Sequence, residues 1–121
     1  MAHILVVEDN PMSMELALDL LELYGYKVTG VEDGFKALGA VEEDNFDLIL
    51  LDMQLPKMEG LEVLEKLKEN SNTSDIPVVA MTAHAMIGDE ERFIEAGCAG
   101  YISKPIDVNK FKSTIEQYLS E

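Results

Sequence analysis

The sequence predicts a three-layer, doubly wound α/β fold with a five-stranded parallel sheet between helices. A strand pattern followed by a helix pattern occurs five times along the chain, and this alternation is typical of parallel sheets. The length of 121 residues is close to the commonest domain size, so we expect one domain over residues 1–121. The longest apolar stretches are only strand-sized, which favours a buried core over a membrane span.

The first strand and helix are marked by clear start and stop signals. The apolar run Ile4–Val7 predicts a buried strand. Asn10 is a good N-cap and Pro11 a good first helical residue, and apolar residues then recur at helical spacing as far as Gly25. Because glycine commonly ends a helix, the first helix is predicted over about 11–24.

Two further strands and a short helix follow. We predict a strand over Lys27–Val31, a turn at Asp33-Gly34 and a third strand over about 47–52, whose apolar run ends in Asp52. The second helix lies between these strands, and its inward face comprises Ala37, Leu38 and Val41.

The C-terminal half continues the alternation. A loop over 54–60 precedes a third helix with inward residues Val63, Leu64 and Leu67. Pro77–Thr82 supplies the fourth strand, a weakly patterned helix follows over about 87–95, and Gly100–Ser103 is a short fifth strand. One face of the last helix comprises Val108, Phe111, Ile115 and Leu119.

Strand order decides which polar residues meet. We assume the flavodoxin-like order 2-1-3-4-5, which makes the first and third strands neighbours. Glu8, Asp9 and Asp52 then converge at the C-terminal edge of the sheet, with Thr82 at the end of the fourth strand and Lys104 just after the fifth. This edge is where open α/β sheets bind ligands.

Composition narrows the classes of function. The net charge of −15 disfavours direct binding to nucleic acid, which needs clustered Lys and Arg. The first apolar run begins too early for a signal peptide, so we expect a cytoplasmic protein that does not bind membranes. Cys98 is the single cysteine, and its small neighbours indicate a structural thiol in a tight turn.

The acidic cluster predicts a site for a hard cation. Carboxylates held together resist full ionisation unless a cation compensates them, and Mg²⁺ is the natural candidate, with Mn²⁺ as a substitute. Mg²⁺ usually binds through one or two carboxylates together with phosphate oxygens. An aspartate can serve as nucleophile in phosphoryl transfer, so Asp52 has the right chemistry and Lys104 the right charge.

Four segments make the sequence recognisable. They are Glu8-Asp9-Asn10, Leu51-Asp52-Met53-Gln54-Leu55-Pro56, Met81-Thr82-Ala83 and Ser103-Lys104-Pro105. In their order and spacing they resemble the receiver domain of two-component response regulators, and the resemblance covers essentially the whole chain. The part from Ala80 to Ile106 is especially similar to DivK-type single-domain receivers, and it also resembles receiver modules of hybrid histidine kinases.

The resemblance implies a role for each matching residue of the acidic cluster. Asp52 would accept phosphate from a phosphohistidine. Asp9 and Asp52 would hold Mg²⁺ by side-chain oxygens, Gln54 by its backbone carbonyl, and Glu8 mainly through coordinated water. Lys104 would bind a phosphoryl oxygen.

The resemblance also implies a switch. Thr82 would contact the phosphoryl group, and Tyr101 would move between outward and inward positions. Lys104-Pro105 is expected to be a cis peptide. Gln54 and His84 occupy the positions that tune dephosphorylation in this family. The face formed by helix 4, strand 5 and helix 5 would report the change, with candidate residues Met86, Ile87, Phe93, Tyr101 and Lys110.

The predicted function is therefore signal transduction rather than conventional catalysis. The protein would receive phosphate from a histidine kinase or histidine phosphotransfer protein, and would catalyse only its own phosphorylation and dephosphorylation. It would act on a downstream protein target as a monomer or weak dimer. The main alternative is a phosphorelay or hybrid-kinase module that passes phosphate onward.

Two other classes of protein, and a purely structural role for single motifs, compete with the prediction of a receiver domain. A haloacid-dehalogenase-type phosphatase needs a second acid two residues after its nucleophile, where this chain has Gln54. A flavodoxin-like electron carrier needs a hydroxyl-rich phosphate loop, whereas Glu8-Asp9 would repel a flavin phosphate. Taken singly, Tyr101 could be a packed aromatic and Glu8-Asp9 could favour a helix N-terminus, but their co-occurrence with the other motifs favours a site.

Overall fold

The sheet of this protein is fully parallel and has the predicted strand order. The computed structural model describes residues 2–83 and 89–119. The strands are β1 His3–Val7, β2 Lys27–Val31, β3 Leu48–Asp52, β4 Val78–Thr82 and β5 Gly100–Ser103. The helices are α1 Pro11–Leu23, α2 Gly34–Glu43, α3 Gly60–Glu69, α4 Asp89–Glu95 and α5 Val108–Leu119. The order β2-β1-β3-β4-β5 confirms that β1 and β3 are neighbours.

Helices cover both faces of the sheet, which explains why the central strands are apolar throughout. Every residue of β1, β3 and β4 is buried, as expected for parallel strands between two helical layers. One core cluster joins Leu5 and Val7 to α2, α3 and α4, and the other joins Ile4 and Val6 to α1 and α5. The sheet is thus the middle layer of a three-layer sandwich.

The ends of α1 confirm the signals in the sequence. Asn10 Oδ1 accepts hydrogen bonds from the backbone N–H groups of Met12 at 2.9 Å and Ser13 at 3.1 Å, and Pro11 is the first helical residue. The helix ends at Leu23, one residue before the predicted limit. Gly25 follows with φ +96°, a conformation that glycine adopts without steric cost.

The turn predicted at Asp33-Gly34 is instead the start of α2. Asp33 is the N-cap, and its Oδ1 accepts a hydrogen bond from the Lys36 backbone N–H at 2.9 Å. Gly34 lies against α3, where an added Cβ would come within 2.5 Å of Val63 Cγ2. Glycine is therefore present here because two helices approach closely.

The remaining boundaries differ only slightly from the prediction. β4 begins at Val78 rather than Pro77, and α4 is described from Asp89, so its predicted start near residue 87 lies outside the described residues. Cys98 is buried in the core next to Gly97, which has φ +118°. Within residues 2–83 and 89–119, every helix is too short or too polar to cross a bilayer.

Candidate functional site

Three carboxylates meet at the C-terminal edge of the sheet. Asp52 is the last residue of β3, and Glu8 and Asp9 directly follow β1, whose Val7 pairs with Leu51. One side-chain oxygen from each of the three acids lies within 4.8 Å of the other two. This geometry confirms the predicted convergence, which the register of β1 on β3 brings about.

Lys104 completes the cluster from the other side. Its Nζ donates a hydrogen bond to Asp52 Oδ2 at 2.9 Å and forms an ion pair with Glu8 Oε1. The backbone N–H of Lys104 donates to the carbonyl of Thr82 at 2.9 Å, which continues the pairing of β5 with β4 beyond the strand end. The Lys104-Pro105 peptide is cis, as expected from the resemblance.

Backbone groups hold the remaining oxygens of the two buried acids. Asp52 Oδ1 accepts a hydrogen bond from the Gln54 N–H at 2.8 Å, and Glu8 Oε2 accepts one from the Asn10 N–H at 3.1 Å. The orientation of both carboxylates is therefore fixed by the loops that follow their strands. Asp52 turns its Oδ2 towards Lys104, and the side chain of Gln54 is exposed beside it.

Because this site is buried, each charged group affects the pKa of its neighbours. Burial is the largest cause that raises the pKa of Glu8, and the neighbouring Asp52 carboxyl raises it further, against the opposite effect of Lys104. Burial acts to lower the pKa of Lys104, but its contacts with Glu8 and Asp52 outweigh that effect, so its pKa is raised. The site thus carries an excess of negative charge that one lysine balances only in part.

The donor set suits a small divalent cation. Carboxylate oxygens are the preferred ligands of Mg²⁺, and Glu8, Asp9 and Asp52 bring three of them together. Asp9 is exposed while Glu8 and Asp52 are buried, so a cation at this position would be reached from solvent through the Asp9 side. The residues present therefore fit the predicted metal site.

Thr82 lies on the wall of a small cleft next to Asp52. It is buried at the end of β4, and the cleft has a volume of about 150 Å³. Gln54 and Arg92 also line this cleft. Arg92 was not predicted as a site residue, although it is the only arginine in the chain and could have been noticed for that reason. Its guanidinium lies over the Phe93 ring, 5.8 Å from the ring centroid.

Tyr101 and Phe93 are coupled by packing. Their rings stack with centroids 6.2 Å apart and planes at 21°. The Tyr101 hydroxyl is buried and has no hydrogen-bond partner among the described residues. Phe93 is itself buried in the core, so its assignment to an exposed interaction face was wrong: α4 has few apolar residues and uses this one as an anchor.

The rest of the predicted interaction face is described in part. Lys110 is exposed on α5 and, with Tyr101, lines a groove of about 310 Å³. His84, Met86 and Ile87 lie outside the described residues. The described part of this face therefore has a groove between β5 and α5. The loop before α4, which would also contribute to the face, lies outside the described residues.

Comparison with known families agrees with this site. Residues 4–116 match the family model described as the response regulator receiver domain. The chain belongs to the response regulator receiver domain family. Among curated proteins, this receiver is 48% identical to the polar-differentiation response regulator DivK of Brucella ovis, over 98% of this chain and 96% of that protein. DivK of Brucella suis matches at the same identity and coverage.

Solved structures of response regulator and receiver proteins also resemble this chain. The receiver domain of sensor histidine kinase PA1611 from Pseudomonas aeruginosa, with a magnesium ion coordinated in its active site cleft, is 32% identical. Its TM-score is 0.91, over 99% of this chain and 98% of that one. The chemotaxis protein CheY4 of Vibrio cholerae is 25% identical, with a TM-score of 0.93 over 98% and 99% of the two chains.

The receiver fold and its relatives place this protein in two-component signal transduction as a response regulator. A kinase or phosphotransfer partner follows from that function. Because several curated relatives that match nearly the whole chain at 48% identity are DivK response regulators, the alternative of a module that passes phosphate onward is not favoured.

Proposed function

We propose that Asp52 is the phosphoacceptor of a single receiver domain over residues 1–121. The observation that carries this proposal is the 2.9 Å hydrogen bond from Lys104 Nζ to Asp52 Oδ2, next to the acids Glu8 and Asp9. A buried aspartate at a strand end, oriented by a lysine and a backbone N–H, is suited to attack a phosphoryl group.

A divalent cation fits this account. Asp9 and Asp52 would hold Mg²⁺ through side-chain oxygens, with the Gln54 carbonyl as a further ligand and Glu8 acting through water. Mn²⁺, which also accepts oxygen ligands, would substitute. When bound, the ion supplies positive charge that offsets the charge on phosphoryl oxygens. The same charge would counter the repulsion between Glu8 and Asp52 that accompanies the raised pKa of Glu8.

The transfer step is a displacement at phosphorus. An Asp52 oxygen donates an electron pair to form the new O–P bond while the P–N bond of phosphohistidine breaks, and that electron pair stays on the leaving imidazole nitrogen, which takes a proton. Lys104 then turns from the free carboxylate to a phosphoryl oxygen. Its raised pKa keeps it cationic for this role.

Dephosphorylation returns Asp52 from the acyl phosphate to the free carboxylate. Water attacks phosphorus, the bond between phosphorus and the Asp52 oxygen breaks, and phosphate leaves with Asp52 again a carboxylate. Gln54 is exposed beside Asp52, where it can contact the attacking water, and His84 is the second residue that the family resemblance assigns to tuning this step. The protein therefore catalyses its own phosphorylation and dephosphorylation and acts on no other substrate.

Signalling would follow from capture of the phosphoryl group by Thr82 and Lys104. The new charge shifts an existing equilibrium between conformations. Tyr101, whose hydroxyl is buried and whose ring stacks on Phe93 of α4, would change its position in this step. Tyr101 and Lys110 line the same groove, so a movement of Tyr101 would alter the face that a downstream protein contacts.

The proposal also covers the phosphate donor, the cellular location and the oligomeric state of the protein. The phosphate donor would be a histidine kinase or histidine phosphotransfer protein in the cytoplasm, and the output would be a protein contact. The net charge of −15 argues against direct binding to nucleic acid. We expect a monomer or a weak dimer.

Transfer from phosphohistidine tests the proposal. A histidine phosphotransfer protein carrying radiolabelled phosphate is mixed with the receiver in Mg²⁺, and label is followed on both proteins. We expect label to move to the wild type and to Asp75→Asn, an exposed control in the α3–β4 loop, and not to Asp52→Asn. Equal labelling of Asp52→Asn would contradict the assignment.

A further inference from the structure

A groove along α1 adjoins the acidic cluster at Glu8 and Asp9, and the rest of its lining has no role in the chemistry described above. Its volume is about 470 Å³, and its apolar floor consists of Pro11, Met14 and Leu18. Met14 and Leu18 lie directly on Gly30 of β2, where an added Cβ would come within 2.7 Å of Met14 Sδ and 3.2 Å of Leu18 Cδ1. The absence of a side chain at residue 30 therefore gives the floor its shape.

The border of this groove is uniformly acidic. Six carboxylates line it: Glu8, Asp9, Glu15, Asp19, Glu22 and Glu32. The nine lining residues include no lysine or arginine. Five of the acids, Asp9, Glu15, Asp19, Glu22 and Glu32, are exposed to solvent. Like charges around a concave surface produce a strong negative potential that attracts cations and repels anions.

We infer that this groove docks a basic amphipathic segment of a partner protein. Apolar side chains of the segment would contact Met14 and Leu18, while its lysines and arginines would lie opposite the acidic border. The border would exclude acidic segments with a similar apolar face, which gives the site specificity as well as attraction. A second copy of this chain is a poor occupant because it carries the same net charge of −15.

The groove is separate from the other apolar residues of α1. Met12 and Leu16 are 82% and 37% exposed, but each lies two positions from a floor residue, which places it about 200° further round the helix. The groove also lies away from the face formed by β5 and α5. It adjoins the phosphorylation site through Glu8 and Asp9, so a docked segment would lie next to that site.

Binding of designed peptides to the full chain tests the inference. The probe is a synthetic helical peptide of leucine and lysine with leucines along one face. The controls are a scrambled peptide of the same composition and a leucine–glutamate analogue. Amide shifts of ¹⁵N-labelled protein are recorded in EDTA, which keeps metal away from Asp9. We expect the amphipathic basic peptide to shift residues of α1 and β2, more weakly as salt is added.

Matched variants separate the groove from general attraction to an acidic protein. Reversal of Glu15, Asp19 and Glu22 to lysine should weaken binding about tenfold or more, whereas reversal of the exposed α3 residues Glu62, Glu65 and Glu69 should change it less than about twofold. Met14→Ala should weaken binding about threefold, and Met12→Ala should leave it unchanged. Well-dispersed amide spectra confirm that each variant is folded.

Three results would overturn the inference. One is equal binding of the scrambled peptide, and another is equal loss of affinity in the α1 and α3 charge reversals. The third is a set of shifts centred on α5 rather than on α1 and β2. Phosphorylation of Asp52 is measured separately, so a failure of docking leaves the proposed function unaffected.

Discussion

Lys104 Nζ lies 2.9 Å from Asp52 Oδ2 although 52 positions separate the two residues in the chain. Both side chains are largely buried, with 14% of Lys104 and 4% of Asp52 exposed. The same ammonium group also pairs with Glu8, whose side chain is 1% exposed. One lysine is therefore the shared counter-charge of two buried carboxylates, and its loss should affect stability as well as chemistry.

Lys104→Met should destabilise the protein by about 3–5 kcal/mol at neutral pH in EDTA, because two buried carboxylates lose their counter-charge. Since the folded-state pKa of Lys104 is raised above 10.5, its contribution is fully present at neutral pH and is lost only above that value. Urea unfolding measures the change, with exposed Lys110→Met as control. A loss no larger in Lys104→Met than in Lys110→Met would show that the pair contributes little.

Thr82→Ala should separate phosphorylation from signalling. Asp52 and Lys104 remain in place, so the variant should still bind beryllofluoride, which mimics the phosphoryl group. It should lose the hydroxyl that captures the group, so the amide shifts of β5 and α5 seen in the wild type should be much reduced. Thr82→Ser keeps the hydroxyl and should behave as the wild type. Full shifts in Thr82→Ala would rule out this role.

Asp33→Ala should reduce the free energy of unfolding by about 1 kcal/mol, because α2 loses its N-cap hydrogen bond. The Lys36 N–H lowers the pKa of Asp33 below 3.8, so the contribution is present above pH 3.8 and is lost as the pH falls through the lowered pKa. Asp33→Asn should retain most of the stability. Thermal unfolding of the three proteins compares them, and equal loss in both variants would point away from capping.

Cys98 should resist alkylation in the folded protein. Burial raises the pKa of its thiol to about 11, and the thiolate is the reactive form. Iodoacetamide at about pH 8 should label Cys98 only after addition of denaturant, as followed by mass spectrometry. Rapid labelling of the native protein would show that the turn after α4 opens readily.

Much of the fold and site could be predicted because local signals agree with the global arrangement. The strand ends place Glu8, Asp9 and Asp52, and the alternation of elements predicts a parallel sheet; the strand order was assumed from the fold class, and the structure confirms it. The local structure at Asp33-Gly34 was harder to predict, since the same dipeptide suits either a turn or the start of a helix. The structure settles it through the contact of Gly34 with α3.

The missed features depend on contacts between distant parts of the chain. α4 has seven residues, too few for a periodic pattern to show that Phe93 is buried. Arg92 reaches the cleft of Thr82 only because of how α4 packs. The groove on α1 likewise depends on how Met14 and Leu18 lie across Gly30, which neither helix nor strand pattern specifies.

Intact-protein mass spectrometry after incubation with acetyl phosphate tests the role of Asp52 most directly. The wild type and Asp75→Asn are treated with Mg²⁺ or with EDTA, and Asp52→Asn is treated in parallel. We predict a single added phosphoryl group that requires Mg²⁺ and is absent from Asp52→Asn. A phosphoryl group of equal yield in Asp52→Asn, or none in the wild type with Mg²⁺, would contradict the assignment of Asp52 as the phosphoacceptor.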